Sequence, residues 1–147
     1  MKILKNITIY IISLLYVIVG IKHFTNTSFF ITIVPPIINW KKEVVLVSGL
    51  IEVILGILLL FNQTRKLAAW CIIILLIAVF PANIYLYFSE IAREILSISK
   101  NQALYRTPFQ IPLMIISYWH SKETHSKQFS ILCGGLFIST IIYFITI

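Results

Sequence analysis

The sequence predicts an all-α integral membrane protein, a polytopic transmembrane helix bundle of four core helices plus a fifth at the C-terminus, in one domain over residues 1–147. Three observations predict it. Hydrophobic residues make up 59% of the chain and charged residues only 12%, against roughly 25% charge in a soluble domain, so a water-facing surface cannot be built from this material. The apolar residues are gathered into long runs, the plainest being VVLVSGLIEVILGILLLF over 44–61. At 1.5 Å per residue that run extends about 27 Å, close to a hydrocarbon core of about 30 Å. The cations stand between the runs, singly or as the doublets Lys41-Lys42 and Arg65-Lys66, as headgroup anchors and orientation signals do.

Each element follows in order. Residues 6–22 form a first apolar run behind Lys2 and Lys5. They resemble a signal peptide, but Ile21-Lys22-His23-Phe24 offers no small-x-small cleavage site, so the run reads as an uncleaved span. Residues 23–40 are uncharged and irregular. Pro35-Pro36 forbids a continuous helix there, because each ring removes a donor and restricts its predecessor. This stretch is expected to be an interfacial or re-entrant loop, anchored at the headgroups by Trp40 and Lys41-Lys42. Residues 44–61 form the second span. Asn62 to Lys66 form a short polar turn, which makes the third span, 67–88, antiparallel to the second. Residues 89–105 are polar and amphipathic, suited to a surface helix or loop. The fourth span, 107–120, is short; Thr107 is a good N-cap and Pro108 a good first helical residue. A polar interval then precedes the fifth run, 129–147.

Charge excludes some functions and leaves orientation open. The net charge is +7, with twelve Lys or Arg against five acids. Scattered singly between apolar runs, these cations do not make a phosphate-tracking groove, so nucleic acid is not an expected partner. With five spans, Lys2, Lys5, Arg65, Lys66, Lys122 and Lys127 fall on the N-terminal side. Lys22, Lys41, Lys42, Arg93, Lys100 and Arg106 fall on the other. A cytoplasmic N-terminus follows only if the second set is partly internal or offset by Glu43, Glu90 and Glu94. Cys71 and Cys133 are lone cysteines in separate runs with no CxxC, which reads as buried thiols rather than a dithiol or zinc centre. No metal site is expected; His120 and His125 flank Glu123 in a loop, a weak metal pattern.

The chemistry points to Glu52. A charge at bilayer centre costs at least ~2.5 kcal/mol even on lenient scales, so such a residue is partnered, protonated or part of a pathway. Ser48, Glu52 and Gly56 are spaced i, i+4, i+8 on one helix face, with Gly49 beside it. Small residues there let a neighbouring helix approach. Glu52 serves either as a buried bundle-holding group or as a catalytic or substrate-handling one. Asn83 follows Pro81 by two residues; the proline frees the carbonyl of Ile77, which makes Pro81 a kink and the amide a means of satisfying backbone around it. Arg106 and Gln110 lie one turn apart. Arg106 is either a counter-ion for Glu52 or a side chain snorkelling to headgroups, and a cation at a helix N-terminus is unfavourable to the dipole. His23, at the end of the first span, is either interfacial or a member of the intramembrane polar cluster formed with Glu52, Asn83, Arg106 and Gln110.

In order along the chain stand Gly20-Ile-Lys-His23-Phe24, Pro35-Pro36, Ser48-Gly49-Leu-Ile-Glu52-Val-Ile-Leu-Gly56, Arg65-Lys66-Leu-Ala-Ala, Val79-Phe80-Pro81-Ala82-Asn83-Ile84-Tyr85 and Arg106-Thr-Pro108-Phe-Gln110. These landmarks, covering roughly 13–119, resemble the DoxX and DoxX-like family of small bacterial membrane proteins. The resemblance implies a multi-pass four-helix bundle in the bacterial inner membrane, with His23, Glu52, Pro81, Asn83, Arg106 and Gln110 as family-type positions. Some relatives are linked to thiosulfate:quinone oxidoreduction or to membrane complexes for oxidative stress. The implied function is an accessory or subunit role in a quinone-linked membrane redox system, with quinone as the candidate cofactor, and the bilayer and other membrane or redox-complex subunits as partners. The alternative is a small transporter or proton-coupled permease with Glu52 and Arg106 in its path. The run 129–147 extends past the family's usual last helix.

Overall fold

A computed structural model describes the backbone of residues 2–146 and the side chains of 2–142. The described residues form seven helices and no strand: α1 (Lys2–Thr25), α2 (Thr27–Ile33), α3 (Lys41–Leu60), α4 (Asn62–Phe88), α5 (Glu90–Leu96), α6 (Lys100–Ser121) and α7 (Lys127–Thr146). Three of them, α1, α3 and α4, are long and apolar enough to cross a membrane. Helix α1 lies along α3 and α4 lies along α6; the α3–α4 hairpin joins these two pairs, and α7 packs on α6 and α1.

The surface differs from that of a water-soluble domain, and several polar side chains lie inside. Leu14, Ile18, Val47, Ile54, Ile74 and Ile77 are exposed, while Ser13, His23, Glu52, Gln110, Ser117 and His120 are buried. An apolar surface of that extent in water would be an aggregation liability; in hydrocarbon it costs nothing, and polar groups must turn inward to find partners. Between the helices, Ile9 and Ile12 of α1, Leu55 and Leu59 of α3, Ile72 and Leu76 of α4, and Ile116 of α6 form the main core. A small second core joins Leu86, Ala92 and Ala103 where α4, α5 and α6 meet.

Glycine sets the closest approach. A Cβ on Gly20 would lie 2.6 Å from the Gly49 carbonyl oxygen, and one on Gly56 would lie 2.9 Å from the Ser13 carbonyl oxygen. Larger residues would push α1 off α3. Ser13 closes the seam by donating its hydroxyl to the Gly56 carbonyl.

Four segments differ from the sequence expectation. The stretch 23–40 is not wholly irregular: Thr27–Ile33 forms α2, with the Thr27 hydroxyl donating to the His23 carbonyl at 2.8 Å, and the chain bends only at Val34 to Trp40 around the two prolines. Asn62 to Lys66 do not form the turn between α3 and α4, since they are already the first turn of α4 and Phe61 alone is the hinge. The polar side chains reach back instead: Thr64 donates to the Leu58 carbonyl at 2.7 Å, and Arg65 to those of Leu59 and Leu60 at 3.0 and 2.9 Å. These bonds satisfy carbonyls that the end of α3 leaves without partners. Residues 89–105 divide into α5, capped by Ser89, and the first turns of α6. Thr107 is therefore not an N-cap. Helix α6 starts after Ser99, whose side chain forms a capping box with Gln102, and it runs through Pro108 and Pro112. The box satisfies two orphan donors at once, while the prolines stand four residues apart and so lose their hydrogen bonds on a single face.

Candidate functional site

The α1–α3 seam brings the first two site residues together. The absence of a side chain at Gly49 makes room for the His23 Cβ, and this seats His23 beside Glu52. The two are buried, with His23 Nδ1 3.4 Å from Glu52 Oε2. Nδ1 also lies 2.9 Å from the Val19 carbonyl oxygen. A carbonyl only accepts, so Nδ1 carries the hydrogen and spends it on Val19. At 3.4 Å the contact with Glu52 is then an electrostatic one, and Oε2 has no hydrogen-bond partner among the described residues. The imidazole stacks on Phe30, with centroids 3.7 Å apart and planes at 21°. Tyr16, one turn below Gly20, is buried and within electrostatic reach of Glu52.

His23 and Glu52 open onto a cavity of about 290 Å³. Its polar lining is completed by Ser48, Asn83 and Arg106, and its apolar wall by Phe29 and Phe30 of α2, the Val34-Pro35 bend, and Ala78, Val79 and Pro81 of α4. The volume is about twice the ~150 Å³ that accommodates benzene in an engineered protein cavity, and sits at the lower end for small-molecule sites. It suits one substituted ring. The Arg106 guanidinium lies 5.7 Å over the Phe29 ring, a cation–π arrangement that holds it at the wall.

Of the six positions singled out in the sequence, His23, Glu52, Pro81, Asn83 and Arg106 line this one cavity and Gln110 does not. Gln110 donates from Nε2 to the Leu76 carbonyl at 3.3 Å, so the amide that serves backbone in α4 near the proline comes from α6 rather than from Asn83. Among the described residues Asn83 makes no such bond, and its amide is left to the cavity. Arg106 is the seventh residue of α6, beyond the first turn where the dipole acts on a cation. Sequence reasoning missed Phe29, Phe30 and Tyr16. The signal for the two phenylalanines is an aromatic doublet in the uncharged stretch just after His23. His120 and His125 lie elsewhere, and the described residues contain no group of three metal-ligating side chains.

A family model described as a domain of unknown function, DUF8561, matches residues 12–121. All the cavity-lining residues fall inside that stretch, and α7 falls outside it. No curated protein and no solved structure matches.

Proposed function

We propose, for a chain that belongs to the DUF8561 family, a DoxX-like role in the bacterial inner membrane: a multi-pass accessory or subunit component of a redox system whose cavity receives a quinone-type ring. In this reading α1, α3, α4, α6 and α7 all cross the bilayer, and the cavity opens at membrane depth, where an isoprenoid quinone partitions. The observation that carries it is the cavity lined by Glu52, whose buried Oε2 has no hydrogen-bond partner among the described residues. A carboxylate that served only to hold the bundle together would be enclosed in a dry, fully bonded ion pair.

The residues divide the work by chemistry. The Arg106 guanidinium and the Asn83 amide are donors suited to a ring carbonyl oxygen. Phe29 and Phe30 offer faces for ring stacking. Glu52 and His23 are the proton-exchanging pair, and quinone reduction takes up two protons with its two electrons. The protein's share is binding, orientation and protonation; the electrons are a redox partner's to supply.

Titration of the reconstituted full chain with a short-chain benzoquinone and its quinol tests this. Wild type is expected to bind saturably. Glu52→Gln, which keeps the shape and removes the charge, is expected to weaken binding of the reduced form, a quinol whose hydroxyl donates to the carboxylate, about 10- to 100-fold, the worth of one hydrogen bond to a charged group. Equal binding by the two proteins would remove Glu52 from the site. The permease reading predicts instead proton flux into vesicles that the same variant abolishes.

A further inference from the structure

At the other end of α1 from His23, the first turns of α1, the α3–α4 hinge and the α6–α7 loop enclose a second concavity of about 580 Å³. Lys2, Lys5, Arg65, Lys66 and Lys122 line it, and Glu123 is the one carboxylate among its lining residues. Among the described residues none of the five cations forms an ion pair.

Three of the five cations are held in place without being neutralised. Arg65 is fixed by the Leu59 and Leu60 carbonyls. Lys5 donates to the Lys122 carbonyl and lies 5.8 Å over the Trp119 ring, while the Lys122 ammonium lies 5.0 Å over Tyr118. Beneath them, the Thr8 hydroxyl spends its hydrogen on the Lys5 carbonyl at 2.8 Å, so at 2.9 Å His120 Nε2 is the donor to Thr8. That chain of bonds ties α6 to the turn of α1 that carries Lys5. Lys2 and Lys66 stand exposed at the rim. Carbonyls and aromatic faces orient a cation but leave its charge intact, so the five repel one another until an anion enters.

We propose that this concavity is a binding site for a phosphate-bearing anion, with a phospholipid headgroup as its source. The aromatic residues beside it favour that source: Trp70 and Phe129 both pack edge-on against Tyr118, next to the buried Trp119. Trp and Tyr rings such as those of Trp70 and Tyr118 sit at headgroup level, and basic pockets between helices at that level bind phosphorylated headgroups.

The experiment places the full chain in phosphatidylcholine discs with and without phosphatidylglycerol and counts retained lipids by native mass spectrometry. Lys2→Gln/Lys66→Gln removes two exposed rim cations, and Lys41→Gln/Lys42→Gln removes the same charge from the start of α3 as a control. Each lysine removed weakens an anionic headgroup roughly fivefold, so the rim variant is expected to retain phosphatidylglycerol about 25-fold more weakly and the control to retain it as wild type does. Phosphorus NMR of inorganic phosphate with protein in pure phosphatidylcholine discs separates the sources. Broadening by wild type and not by the rim variant assigns the site to a soluble phosphate. Equal retention by both variants, together with no phosphate broadening, overturns the proposal.

Discussion

The two ends of the bundle handle charge in opposite ways. At the His23 end a single carboxylate is buried against an imidazole and a cavity with largely apolar walls. At the Lys2 end five cations and one carboxylate line a wider concavity, with Lys5, Arg65 and Lys122 held by carbonyls or rings. The first arrangement gathers a carboxylate, an imidazole and a guanidinium around one largely apolar cavity, which suits selective handling of a small molecule or a proton. The second gathers like charges around an open rim, which suits attraction of an anion. One short chain thus has two concavities, one with largely apolar walls and mixed charge and one lined mainly by cations.

The largest expected effect breaks the first end alone. Gly20→Leu would drive a side chain into the Gly49 carbonyl and Val53. It is expected to destabilise the protein by roughly 3 kcal/mol, the upper range for overpacking, and to separate His23 from Glu52. Gly135→Leu is the matched control, because a Cβ there meets nothing within 4 Å. Thermal melts in lipid discs check both, and equal melting of the two variants would mean that the seam is not what positions His23.

A smaller effect sharpens the contrast without disturbing the fold. Ser48→Phe puts a ring into the cavity that Ser48 lines. Quinone binding is expected to fall about tenfold or more, with the melting temperature little changed and anionic-lipid retention at the Lys2 end unchanged. Loss of both binding activities together would show that the two ends are not independent.

The smallest effect concerns pH at the Lys2 end. Burial, with a further contribution from the Lys5 charge, holds His125 below the usual histidine value near 6.5, and its Nδ1 is paired with the Ser130 hydroxyl at 2.6 Å. A histidine depressed in the folded state binds fewer protons there than in the unfolded chain. Its contribution to stability is therefore full above about pH 6.5 and is lost as the pH falls through the lower folded value. Melts of wild type and His125→Gln across pH 7 to about 5 are expected to show the shallower slope in the variant. A steeper slope in the variant would reverse the sign of this account.

More of the first end than of the second is legible in the sequence. Glu52, His23, Asn83, Arg106 and Pro81 are each conspicuous because a polar residue or a proline stands in or beside an apolar run, where it needs a reason. Gln110 is conspicuous for the same reason, but its turn on α6 faces the Leu76 carbonyl rather than the cavity, and only packing decides that. The start of α6 is misread because Thr107-Pro108 is a stronger local signal than Ser99-Gln102, whose capping box needs both side chains positioned to be recognised. Helix α2 has seven residues, too few for a periodic pattern, so the wall built by Phe29 and Phe30 is invisible beforehand. The basic concavity draws Lys2 and Lys5, Arg65 and Lys66, and Lys122 from three distant segments. The expected spans already put all five on one side, but each reads locally as an ordinary headgroup anchor, and only packing brings them around one concavity.

The central claim is that Glu52 belongs to a ligand site and is more than a fastening of the bundle. Mass spectrometry of small molecules that co-purify with the protein in lipid discs, wild type beside Glu52→Gln, tests it most directly. The account predicts an isoprenoid quinone or similar ring-bearing lipid enriched with wild type and lost from the variant, while both proteins stay folded. Bulk phospholipid alone in both preparations, with the variant melting earlier, would contradict it and reduce Glu52 to a structural group.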